Sequence, residues 1–181
     1  MLSAFAVTGF PLLTRVVVGS MLVIAGALKI RRGSRSVTEA VLGYRLVSGA
    51  GAVVIGHALP WIEIAIGVGL VADVGPVLFY PAAAALLLVL TTAVAAALAR
   101  GLQNDCGCFG AARQQRVRRT LVWRNLLLVL PLVGAYAIRS GPTEEGIGVG
   151  GFVIGAAVLL WALLIVALTW WPKRPLAVAT T

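Results

Sequence analysis

Apolar residues run in long stretches along this chain, and the polar residues between them are gathered into short clusters. A bilayer core about 30 Å thick takes roughly 20 residues of helix at about 1.5 Å rise each. Five stretches therefore predict membrane-spanning helices, at 10–30, 48–72, 77–99, 120–138 and 148–171. Between the first two, Val37, Ala40, Val41, Tyr44 and Val47 recur at helical spacing against Glu39 and Arg45, the pattern of a short interfacial helix. Asp73-Val74-Gly75-Pro76 predicts a tight turn, and the alanine-rich third span lets neighbouring helices approach closely. The longest polar stretch, 100–119, separates spans three and four. An acidic, glycine-rich turn around Glu144 and Glu145 separates spans four and five, and Trp170-Trp171 marks an interface.

Composition narrows the classes open to such a chain. With 60% hydrophobic and 12% charged residues and a mean hydropathy of +1.01, it has too little polar surface to cover a soluble globule. No polar stretch is long enough for a separate soluble domain, so residues 1–181 are expected to form one all-α membrane domain whose principal partner is the lipid bilayer. The net charge of +9 does not point to nucleic acid, because the arginines cluster beside apolar runs, where they report topology and attract anionic headgroups. A cleaved signal peptide is the rival reading of the first span, with Ala25-Gly26-Ala27 as a small-residue site, but the charges follow the apolar run instead of preceding it.

Orientation follows from Lys and Arg. Five lie between spans one and two (positions 29 to 45), none between two and three, and five between three and four (100 to 119), with Lys173 and Arg174 in the tail. The positive-inside rule then sets the N-terminus out and the C-terminus in at the cell membrane, with the 100–119 loop cytoplasmic.

That loop carries the most informative string, Asp105-Cys106-Gly107-Cys108-Phe109-Gly110. Four arginines follow within the loop, and positive potential favours the thiolate that attacks disulfides, although Asp105 opposes it. A Cys106–Cys108 disulfide would close a small ring near the upper limit of Cα separation and should be easily reduced, with Gly107 easing the backbone. Three readings stay open: a dithiol/disulfide pair as catalytic residues, a metal site, or a structural turn. Two thiolates alone do not complete a tetrahedral zinc site and no second cysteine pair exists, so no metal or cofactor is expected. Any electron relay then needs a partner protein or an external thiol.

Polar groups inside the spans are costly and need partners. Glu63 is expected about 13 Å from the outer boundary and Arg15 about 6 Å from the start of the first span, so a buried Arg15–Glu63 ion pair fixing the first two spans is the favoured reading. A proton or ligand site facing a cavity is the alternative. Arg124 is expected about 6 Å inside the opposite boundary, snorkelling towards the cytoplasmic face and not pairing with Glu63. His57 lies ahead of Pro60, whose freed carbonyl can kink the helix; it either titrates in a cavity there or hydrogen-bonds across helices.

Several strings occur in a known order: Ala25-Gly26-Ala27-Leu28-Lys29, Tyr44-Arg45, Leu59-Pro60-Trp61-Ile62-Glu63, Cys106-Gly107-Cys108-Phe109-Gly110 and Trp123-Arg124-Asn125. Together they resemble the MauE-like family of methylamine-utilisation membrane proteins, related to DoxX, over about residues 12 to 138. The resemblance implies a DoxX-like four-helix transmembrane bundle, with the fifth C-terminal helix as an extension. It also implies maturation or transport of a disulfide-rich client beside a thioredoxin-like partner. Maturation of an exported protein would place the cysteines outside, whereas the charge count places them inside. A non-enzymatic membrane scaffold with a structural Cys-Gly-Cys loop, or a small transporter using Glu63 and His57, are the alternatives.

Overall fold

The computed structural model describes residues 9–47, 49–102 and 119–139. Five α-helices follow one another: α1 Phe10–Arg32, α2 Ser34–Gly43, α3 Ala50–Val71, α4 Pro76–Ala99 and α5 Arg119–Arg139. All except α2 are long and apolar enough to cross a membrane, and the described residues contain no strand. The expected fifth span, 148–171, lies outside the described residues.

Local chemistry sets the helix ends. Pro11 and Pro76 occupy the first turns of α1 and α4, where a missing N–H costs nothing. Gly33, at φ +82°, breaks α1 from α2. α4 ends in a Schellman turn: Leu102 donates its N–H to the Ala97 carbonyl, and Gly101, at φ +72°, donates to Leu98. α3 ends the same way, with Val74 donating to Gly69 and Asp73 to Leu70. There Asp73 itself takes the left-handed position, φ +56°, that glycine usually fills.

α1 packs against α3 and α5, α4 packs against α5, and α2 lies on α3. Between helices surrounded by lipid the driving force is close van der Waals contact, which small residues allow. On the α1/α3 seam Gly19 lies opposite Gly67 and Gly26 opposite Pro60. The two pairs are one heptad apart on both chains, as a shallow crossing of antiparallel helices requires. A Cβ at Gly67 would come 2.6 Å from the Gly19 carbonyl oxygen, so only glycine lets these backbones meet.

Two core clusters stack along the bundle. One, centred on Val18, Leu70, Tyr80 and Leu132, fills the half nearest the α3–α4 turn, and the other, with Val94, Leu121 and Val122, fills the half nearest the α4–α5 connection. Leu13, Val54, Trp61, Val77, Val89 and Leu127 point outward and are at least half exposed or nearly so. Such an apolar rind is what a bilayer solvates.

Candidate functional site

The structure pairs Glu63 with Lys29 and not with Arg15. Lys29 Nζ donates to both carboxylate oxygens, at 2.5 and 2.6 Å, with the lysine 3% and the glutamate 1% exposed. Register and side-chain tilt decide between the two cations. Gly19 opposite Gly67 and Gly26 opposite Pro60 put Glu63 level with Val23, which leaves Lys29 about 9 Å away along α1 in one direction and Arg15 about 12 Å away in the other. Helical Cα–Cβ bonds tilt towards the N-terminus. In an antiparallel pair Lys29 and Glu63 therefore lean towards each other, while Arg15 leans away.

Arg15 is bound elsewhere. Its guanidinium lies 2.5 Å from Asp73, whose carboxylate also accepts a 2.8 Å hydrogen bond from Arg139. Asp73 thus ties the start of α1, the α3–α4 turn and the end of α5 together. From the sequence alone Asp73 is only part of a tight turn.

A cavity of about 30 Å³ lies beside the buried pair, lined by Glu63 from α3, Arg124 and Asn125 from α5, and apolar residues of α1 and α4. That volume suffices for one or two water molecules among polar partners. Asn125 is buried, and its Oδ1 accepts from Arg124 at 3.3 Å. Arg124 is half-buried and lines this cavity, so it faces the bundle interior instead of only reaching for the boundary.

His57 does not join this site. It is exposed on α3, and its Nδ1 lies 2.9 Å from the carbonyl oxygen of Val53 on the same helix. Among the described residues this bond lies within its own helix, whereas a bond across helices was one of the two readings the sequence offered. Pro60 is buried with its carbonyl against Gly26, so the proline is part of the seam.

Lys29 is the functional candidate that sequence reasoning missed, having grouped it with Arg31, Arg32 and Arg35 as a stop cluster. A signal was present: Val18, Leu22, Ala25 and Lys29 recur at four, three and four residues, and all are buried. Lys29 ends an internal stripe, whereas the side chain of Arg35 is 95% exposed and pairs with Glu39, at 3.4 Å.

Asp105, Cys106, Gly107, Cys108, Phe109 and Gly110 lie outside the described residues. The described residues stop at Leu102, just beyond the end of α4, and resume at Arg119, where α5 begins, at one end of the bundle. At that end Arg100 donates to the carbonyl oxygens of Tyr44 (3.4 Å) and Arg45 (3.1 Å), linking the end of α4 to the α2–α3 connection.

A family profile described as methylamine utilisation protein MauE matches residues 7–138. This stretch contains all four described spans and the cysteine string. The methylamine utilization protein MauE of Paracoccus denitrificans is 36% identical over 147 residues, covering 78% of this chain and 77% of that protein. The protein of the same name from Methylorubrum extorquens is 35% identical over 96 residues, 50% of this chain and 52% of its own. No solved structure matches the chain.

Proposed function

This chain belongs to the MauE family of methylamine utilisation proteins, and on that premise we propose that it is a membrane-embedded thiol–disulfide factor for protein maturation in methylamine utilisation. As a family member with four apolar helices it is a multi-pass membrane protein. The observation that carries the redox reading is the Cys106-Gly107-Cys108 pair in the stretch of sequence between α4 and α5.

In this reading one cysteine thiolate attacks a disulfide sulfur of the partner. The attack forms a mixed disulfide and releases one partner thiolate, which takes up a proton. The second cysteine then attacks the sulfur of the first. A Cys106–Cys108 disulfide forms and the partner leaves as a dithiol, so the partner gains two electrons and the pair loses two. A thioredoxin-like protein, acting in the opposite sense, returns the pair to the dithiol. The strained ring expected of a Cys-Gly-Cys disulfide favours that return and opposes the first half of the cycle to the same extent, so the disulfide that the pair reduces must itself be readily reduced.

For orientation we propose the N-terminus out and the cysteine connection in the cytoplasm. In support, Arg31, Arg32, Arg35, Arg45 and Arg100 gather at the end from which this connection leaves. At the opposite end Arg15 and Arg139 are both bound to Asp73.

Cys106→Ser and Cys108→Ser should each leave protein levels unchanged and abolish methylamine-dependent growth of a MauE-deficient methylotroph. One of the two should accumulate a mixed disulfide that disappears on reduction. Normal growth of the double serine variant would rule out the redox role and leave the scaffold. A membrane-impermeant maleimide should label these cysteines only after permeabilisation; labelling in intact cells reverses the orientation.

A further inference from the structure

Along the α3/α4 side the bundle is open. A groove of about 730 Å³ runs there, with Val54, Ala58 and Ile62 on one wall and Leu86, Val89 and Ala93 on the other, and α2 covers one end. Its size falls in the range, about 300 to 1,000 Å³, of sites that enclose small apolar ligands. The walls carry no net charge: Lys29 is the charged residue lining them, and it is buried and neutralised by Glu63.

The mouth has the opposite character. Tyr44, Leu46 and Val47 line the groove where α2 passes into α3, and Arg45 stands exposed between them. Arg100 is pinned to the same point by its bonds to the Tyr44 and Arg45 carbonyls. Those bonds use Nη1 alone, and a guanidinium has five N–H donors. No described carboxylate offsets these two cations. Glu39 is engaged by Arg35, Glu63 by Lys29, and Asp73 lies at the other end of the bundle.

We propose that this groove is a binding site for an anionic phospholipid, with one acyl chain between α3 and α4 and the phosphate on Arg45 and Arg100. An apolar slot open to the bilayer selects a hydrocarbon chain. Paired arginines at its mouth, on the cation-rich side, select a headgroup with net negative charge over a zwitterionic one. The lipid then wedges the open side between α3 and α4.

The test uses the full chain, delipidated in detergent, titrated with fluorescent phosphatidylglycerol or with phosphatidylcholine of identical chains. Two cations at about 1 kcal/mol each correspond to a preference for phosphatidylglycerol on the order of thirty-fold. Arg45→Gln, which keeps the backbone carbonyl that Arg100 uses, should cut that preference to about five-fold. Ala58→Phe, which fills the slot, should weaken both lipids together. Equal affinity for the two lipids overturns the proposal, as does an Ala58→Phe variant that binds like the wild type. Failure of either lipid to bind, with cross-links joining the groove to residues 148–171, overturns it in favour of the chain's own apolar segment as occupant.

Discussion

Replacing Lys29 by methionine should remove most of the folded protein from the membrane, because it leaves the Glu63 carboxylate 1% exposed without the cation bonded to it. Breaking a buried pair from one side costs about 3–5 kcal/mol in soluble proteins, and a charge at mid-span costs about 3 kcal/mol on insertion scales. Glu63→Leu, which strands the ammonium instead, should be comparably damaging. The double variant Lys29→Met/Glu63→Leu should recover most of the loss, since neither ion then has to be desolvated. Thermal midpoints of the detergent-solubilised chain, followed by tryptophan fluorescence, measure all three. A double variant no more stable than its singles would mean that the pair does more than neutralise itself. A stable double variant that fails to support growth on methylamine would assign the pair a functional role beyond packing.

The second large effect is expected at the α1/α3 seam. A Cβ at Gly67 would lie 2.6 Å from the Gly19 carbonyl oxygen and 2.9 Å from the Val23 nitrogen; one at Gly26 would lie 2.6 Å from the Pro60 carbonyl oxygen. These are backbone atoms on packed helices and cannot rotate aside. Gly67→Val and Gly26→Val must therefore push α1 from α3. Overpacking costs about 1–3 kcal/mol where side chains can yield, and these sites should reach or pass the top of that range. Gly134→Ala is the control, because its Cβ would meet the Phe10 ring edge at 3.4 Å, an ordinary contact. Equal midpoints for Gly67→Val and Gly134→Ala would show that the seam is not held by close backbone approach. Displacing α1 also separates Lys29 from Glu63, so Gly26→Val should add little to Lys29→Met when the two are combined.

How far the site could be read in advance depended on the residue. Glu63 announced itself, because a carboxylate inside an apolar run demands a partner. Arg15 was a reasonable partner by depth alone, since it stands one position from the buried stripe of α1 that ends in Lys29. They are on opposite sides of the Glu63 level, and only the register separates them. Asp73 was hidden for a different reason: its turn chemistry was evident, but its carboxylate gains meaning from Arg15 and Arg139, which are distant in sequence. The groove was invisible for the same reason. Its lining residues read as ordinary lipid-facing positions until α3 and α4 are seen to stand apart.

What the sequence determined by itself was everything that depends on neighbours along the chain. Runs of apolar residues dictate spans, because an unpaired backbone in hydrocarbon is too costly for any form but a helix. Clustered arginines mark one end of the bundle, and Asp73-Val74-Gly75-Pro76 marks a turn. The tertiary structure decided what depends on neighbours across helices: the ion pair chosen by Glu63, the cavity shared by Arg124 and Asn125, the isolation of His57 on the outer surface, and the open groove. A hydropathy pattern specifies that a helix is buried in the membrane but carries little information about which face meets which partner. That choice rests on antiparallel register, set here by backbone approach at Gly19, Gly26 and Gly67, and on the tilt of side chains towards helix N-termini.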